Sequence, residues 1–98
     1  MSSTGDPWWH NPSIDQVFIT DEEIDRLQLP NQILTRFVAA FVNNKFHTRP
    51  TKSAKRKWLE TVIVDRNRIN LSCRLETDWI TITRIRIPRG AYKDARLS

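Results

Sequence analysis

The apolar positions of the chain follow two different periods, one in each half of the sequence. Between residues 31 and 46 they recur every three or four positions, as with Ile33, Phe37 and Phe41, and this spacing predicts an amphipathic helix. Along residues 68–76 every second position is apolar, which predicts a strand with one buried face. The chain therefore changes from helix to sheet near its middle.

A shorter strand and a shorter helix are predicted before the long helix. Residues 14–20 are apolar and β-branched, as is typical of a strand. Thr20 followed by Glu23 has the spacing of a capping box and predicts a helix that runs to about Gln28. Pro30 then breaks or restarts the helix.

Two more strands, at residues 58–65 and 79–87, flank the alternating segment. Short polar pairs predict the turns between the three strands, at residues 66–67 and 77–78. The alternation of the last strand slips between Ile82 and Ile85, which indicates a β-bulge or burial on both faces.

The predicted order is β-α-α-β-β-β, an α+β architecture. We expect two N-terminal helices packed on a three- to four-stranded antiparallel sheet. Residues 1–13 are interpreted as a flexible leader, 14–95 as a single domain and 96–98 as a tail. Trp8 and Trp9 in the leader have three readings: they fold back on the domain, stack on bases or dock on a partner.

Length and composition narrow the class of protein. The 98 residues are enough for one domain, and 39% hydrophobic with 28% charged residues is an ordinary globular composition. No apolar run approaches the ~18 residues of a membrane span. No secretory signal is visible at the start, so we expect a cytoplasmic protein that does not enter a membrane.

Several kinds of chemistry have no support in the sequence. Cys73 is the single cysteine, and it is expected to be a small buried apolar residue. His10 and His47 are isolated, so no metal site is predicted. The glycine-rich and nucleophile motifs of nucleotide-binding proteins and hydrolases are absent, and no cofactor is expected.

Charge is the strongest functional signal. The net charge is +5, but residues 1–30 hold six acids and one base, whereas residues 31–98 hold fifteen bases and five acids. Residues 45–57 contain six bases and no acid. This pattern favours a polyanionic partner, because each phosphate that is contacted releases counterions. A solvated basic loop is the alternative.

The candidate nucleic-acid-binding residues are the bases of this segment and the arginines of the predicted sheet. They are Lys45, Arg49, Lys52, Arg56, Arg74, Arg84 and Arg86. Arginine grips phosphate with two hydrogen bonds, and neighbouring strands would bring these groups to one face or edge. Ordinary solubilising charge on an exposed sheet explains them equally well.

Two segments resemble the C-terminal half of the RelE/ParE-like toxin superfamily. They are residues 65–75 (DRNRINLSCRL) and 79–92 (WITITRIRIPRGAY). The family pattern has an arginine that opens one strand, then an apolar strand, a basic turn and a tyrosine. The predicted element order and the small basic chain are also similar.

The resemblance implies a function and a set of roles. RelE-type members are ribonucleases that cut messenger RNA and are silenced by an antitoxin, whereas ParE-like members poison gyrase. By position, Lys55 and Lys57 would contact phosphate or move protons, and Arg68 would bind the scissile phosphate. Arg89 would stabilise the transition state, and Tyr92 would stack on a base or act as the base.

The sequence thus predicts a small nucleic-acid-directed protein, with RNA favoured and metal-independent cleavage left open. One alternative is a regulator of phage or plasmid type that binds nucleic acid without cutting it. The other is an interaction module that docks an acidic protein, such as an antitoxin. The oligomeric state is not predicted.

Overall fold

The computed structural model describes residues 7–44 and 56–96 and has an α+β architecture with two helices and a four-stranded mixed sheet. The helices and strands are, in chain order, β1 (Val17–Ile19), α1 (Asp21–Leu27), α2 (Asn31–Asn43), β2 (Lys57–Val64), β3 (Asn67–Leu75) and β4 (Ile80–Arg86). Short 3-10 turns lie at Trp8–His10, Ile14–Gln16 and Lys93–Ala95.

The strands lie side by side in the order β1-β4-β3-β2. The pairs β2–β3 and β3–β4 are antiparallel, as predicted, whereas β1 is parallel to β4. The prediction of a wholly antiparallel sheet is therefore wrong for β1. Two helices and a hairpin separate β1 from its partner, so its direction is set by this crossover and not by its own residues.

A two-residue turn at Asp65 and Arg66 joins β2 to β3, one position earlier than the predicted turn. Val64 pairs with Asn67, and the two turn residues have φ values of 51° and 67°. Positive φ at both positions is the geometry of a type I′ hairpin, whose twist matches that of the strands. The turn lies at this position because Asn67, which was expected in the turn, pairs with Val64 instead.

The last strand carries a β-bulge, one of the two alternatives that the slip in its alternation indicated. Ser72 pairs with Arg84 and Cys73 with Ile82, which leaves Thr83 as an extra residue on β4. The Thr83 hydroxyl donates to the Ser72 carbonyl at 3.3 Å. Because one residue is inserted, Arg84 reaches the face of the sheet opposite to the core.

One hydrophobic core lies between the helices and the sheet. Helix α2 buries Phe37 and Phe41 completely, and its amphipathic pattern is confirmed over residues 31–43. Alternate residues of β3 are also buried, among them Ile69, Leu71 and Cys73. The apolar face of the helix and the apolar face of the strand are therefore buried in the same core.

The end of α2 is joined to β2 by polar side chains. Asn44, the C-cap residue, donates to the buried carboxylate of Glu60. The indole nitrogen of Trp58 donates to the same carboxylate at 2.8 Å. A buried carboxylate needs such donors, so this contact fixes where the helix ends on the sheet.

The residues before β1 also pack on the domain. Trp8 and Trp9 are half-buried against the core. Of the three interpretations of this pair, this is the one in which the two residues fold back on the domain. Residues 14–16, expected to be part of a strand, form a 3-10 turn instead. Gln16 and Ser13 cap this turn reciprocally, and the polar cap shortens β1 to three residues.

Helix α1 takes the place of β1 along the second half of β4. The parallel pairing ends at Ile82, and the next backbone groups of β4 bond to side chains of α1. Glu23 accepts a hydrogen bond from the Ile85 amide at 2.8 Å, and Arg26 donates to the Ile85 carbonyl at 3.0 Å. Glu23 and Arg26 also bond to each other. We call this arrangement the edge clamp.

The edge clamp changes the predicted capping box. Thr20 accepts from the Glu23 amide, as predicted, at 3.3 Å. The Glu23 side chain turns away from the helix start to reach β4, so the reciprocal bond to the cap is replaced by the tertiary one.

Replacement of Glu23 by Gln should destabilise the protein at neutral pH. Burial raises the pKa of Glu23, but the bonds from Arg26 and the Ile85 amide, with the charge of Arg84, lower it below its usual value. The ionised form therefore stabilises the fold above the unfolded-state pKa, and this stabilisation is lost as the pH falls through the lower folded-state pKa. We expect a loss of about 1.5–3 kcal/mol on substitution, measured by urea unfolding at neutral pH.

At about pH 3 the difference between Glu23→Gln and the wild type should shrink. Glu22→Gln is the matched control, because Glu22 is exposed in the same helical turn. An equal loss at both pH values, or the same loss in the control, would contradict a role for the ionised clamp.

Candidate nucleic-acid interface

The side of the sheet opposite to the core, here called the outer face, is rich in bases. Strand alternation and register place twelve described residues there: Phe18, Lys57, Leu59, Thr61, Ile63, Arg68, Asn70, Ser72, Arg74, Thr81, Arg84 and Arg86. None of these twelve is acidic. The carboxylate of Glu76, just after β3, contacts Arg74 and Thr81 at one end of this face. The five bases outnumber this one acid, so the face as a whole attracts anions.

Some of these bases are direct neighbours across the strands. Lys57 pairs with Arg74, so two positive side chains stand next to each other on β2 and β3. Like charges at such a position are destabilising unless an anion lies close. The Arg74 guanidinium reaches Glu76 at 2.6 Å, and this carboxylate offsets part of the repulsion.

A cleft of about 410 Å³ opens beside the second half of β4, and we call it the arginine cleft. Its lining residues are Arg26, Leu27, Arg84, Ile85, Arg86, Ile87 and Arg96. Four arginines and three apolar residues thus line the cleft. The cleft exists because β1 has ended and the edge clamp holds α1 against this part of β4.

The arginines of the cleft differ in how they are neutralised. Arg26 is paired with Glu23. Within residues 7–44 and 56–96, Arg84, Arg86 and Arg96 form no ion pair. An arginine that keeps its donors available can hold a phosphate with two parallel hydrogen bonds. The cleft therefore has the chemistry of a site for a phosphate or another oxyanion.

The structure gathers part of the predicted binding set. Arg84 and Arg86 line the arginine cleft, and Arg74 lies on the outer face. Arg56 precedes β2 at a positive φ, and its Nε donates to the Leu75 carbonyl at 2.9 Å. Lys45, Arg49, Lys52 and Lys55 lie outside the described residues.

The residues assigned to catalysis by the resemblance do not form one cluster within the described part of the chain. Lys57 begins β2, whereas Tyr92 bonds to the turn beyond its other end, and seven steps at a rise of ~3.3 Å make about 23 Å. Arg68 lies on the outer face opposite Ile63. Arg89 lines a separate cleft of about 300 Å³ near the C-terminal end.

Tyr92 is held by the hairpin turn and the helix layer. Its hydroxyl donates to Asp65 at 2.8 Å, and its ring packs edge-on against Phe37 at a centroid distance of 5.6 Å. Arg36 approaches the same Asp65 carboxylate at 3.3 Å. Burial and then the hydrogen bond to Asp65 raise the pKa of Tyr92, so the phenol is a firm donor at neutral pH.

Two of the cleft arginines were missed at the sequence level. Arg26 follows Glu23 by three positions, which signals a helical ion pair and not a site. Arg96 falls in a segment interpreted as a tail. Both arginines can lie beside β4 only because β1 ends early, and no local sequence pattern indicates where β1 ends.

No family model, curated protein or solved structure matches the chain. The resemblance to the RelE/ParE-like toxins therefore remains a prediction. Among the described residues there is no cluster of three metal-ligating side chains. None of the described helices is both long and apolar enough to cross a membrane.

The single tyrosine of the chain makes its environment directly measurable. Ultraviolet absorbance should show Tyr92 ionising at a higher pH than a free phenol. Asp65→Asn should lower this midpoint, because it removes the negative charge that accepts the phenol proton. Asp15→Asn, at an exposed position in the Ile14–Gln16 turn, is the control. A midpoint at the free-phenol value in the wild type would contradict the contact.

Proposed function

We propose that the protein binds nucleic acid through the arginine cleft and the adjoining outer face, and that RNA is the favoured form. The observation that carries the proposal is the set of three arginines, Arg84, Arg86 and Arg96, which line one cleft and form no ion pair with any residue that the structure describes. Phosphate groups spaced along a strand suit such a row of bidentate donors.

The wider charge distribution supports the same partner. Residues 31–98 contain fifteen of the sixteen bases, and the twelve described residues of the outer face include five bases and no acid, with one carboxylate, that of Glu76, beside them. A polyanion that lies on this face releases counterions at every phosphate it contacts. Binding should therefore weaken steeply as salt is added.

Binding accounts for the geometry better than cleavage does. Cleavage at one phosphate needs a proton acceptor and a charge-stabilising group within hydrogen-bond reach of the same atoms. Lys57 and Tyr92 are far apart along β2, and Tyr92 keeps its proton. The proposal is accordingly a binding module that does not require catalysis.

Removal of one cleft arginine should weaken binding and its salt dependence together. For Arg84→Ala and for Arg86→Ala, the log–log slope of affinity against salt should fall by about one unit. Fluorescence anisotropy with a labelled RNA strand over a salt series measures both quantities. Arg36→Ala removes the same charge from α2, where Arg36 pairs with Asp65, and is the matched control.

Equal losses in Arg36→Ala and Arg84→Ala would show that only net charge matters and would contradict a defined cleft. Absence of binding at low salt would remove nucleic acid as the partner and would favour an acidic protein. The length of the RNA is followed in the same samples. Shortening that Arg89→Ala abolishes would establish the ribonuclease activity that the family resemblance implies.

A further inference from the structure

Two aromatic rings lie exposed beside the bases of the outer face. The side chains of Phe18 and Trp79 belong to residues that are 53% and 41% exposed. Large aromatic rings normally contribute buried area to a core or an interface. Their exposure is explained by neither the hydrophobic core nor the arginine cleft.

Both rings are neighbours of Thr81 on the same face of the sheet. Phe18 of β1 is the register partner of Thr81 on β4, so the two side chains project to the same side. The indole nitrogen of Trp79 donates to the Thr81 hydroxyl at 3.0 Å. Thr81 itself is only 8% exposed, consistent with a position between the two rings. We call Phe18 and Trp79 the aromatic pair.

The aromatic pair continues into the basic part of the outer face. Thr81 is the register partner of Arg74 on β3, and Glu76 contacts both residues. Arg84, which forms no ion pair with the described residues, follows three positions later on β4, about 10 Å away at ~3.3 Å per residue. Aromatic platforms beside a positive groove are the combination found in proteins that bind single-stranded nucleic acid. Phosphate contacts alone would not require the rings.

We propose that the aromatic pair is a base-stacking platform, on which unpaired bases of a single strand lie while the outer-face arginines hold its phosphates. The inference rests on the proposed nucleic-acid binding and adds the strandedness of the ligand. Single strands expose the faces of their bases, whereas duplexes keep them stacked inside. The platform therefore discriminates against duplexes.

Loss of either ring should weaken binding to single strands selectively. Stacking on an aromatic side chain contributes about 1–3 kcal/mol per base, which corresponds to roughly 5- to 100-fold in affinity. We expect this loss for Phe18→Leu and Trp79→Leu with a short labelled RNA strand. The affinity for the same sequence as a duplex should change by less than about twofold.

Ring-retaining variants separate stacking from structure. Phe18→Tyr and Trp79→Phe keep an aromatic face and should keep most of the single-strand affinity. Ile14→Ala is the control for apolar area, because Ile14 is 47% exposed in the turn before β1, outside the outer face, and has no ring. Circular dichroism checks that each variant is folded.

The outcomes distinguish failure of the stacking platform from failure of nucleic-acid binding itself. Selective loss in the leucine variants, with recovery in the ring-retaining ones, supports the platform. If the wild type binds strands through Arg84 but the leucine variants bind as well, the platform is wrong and the cleft stands. Equal loss on strand and duplex also overturns it. No binding of either nucleic acid to the wild type removes both proposals.

Discussion

The fold depends on the way in which a helix completes an unfinished strand pairing. β1 has three residues and pairs with only the first part of β4. Glu23 and Arg26 of α1 then satisfy the amide and the carbonyl of Ile85. A buried backbone group without a partner is costly, so this ionised pair closes the sheet edge and fixes the helix on it. The arginine cleft lies where the clamp keeps α1 and β4 together.

The edge clamp and the β-bulge together determine where the arginines near β4 lie on the surface. Thr83 is the inserted residue, and it returns Ile85 to the core while Arg84 projects outward. Arg26 turns one side of its guanidinium to Glu23 and β4 and remains part of the cleft wall. A contact that stabilises the fold therefore also positions a positive group at the candidate interface.

The outer face combines features that stability alone does not favour. Lys57 lies beside Arg74, and Leu59, Ile63 and Phe18 are more than half exposed. Repulsion between like charges and exposed apolar area both cost free energy in an isolated domain. A ligand with negative charge and flat apolar surfaces, such as a nucleic-acid strand, relieves both costs at once.

The sequence by itself determined the elements with a strong period: the amphipathic helix that begins at residue 31 and the alternating strand, predicted over residues 68–76 and found over Asn67–Leu75. It also showed a slip between Ile82 and Ile85, which left a bulge or burial on both faces open, and the structure has the bulge. These depend on neighbours in the chain, whose spacing reports which face is buried. Only the tertiary structure decided that β1 is parallel to β4 and that Glu23 accepts a hydrogen bond from the Ile85 amide. It also decided that Arg26 and Arg96 line the same cleft. Such contacts join distant residues across the end of a short strand, where no local periodicity carries information.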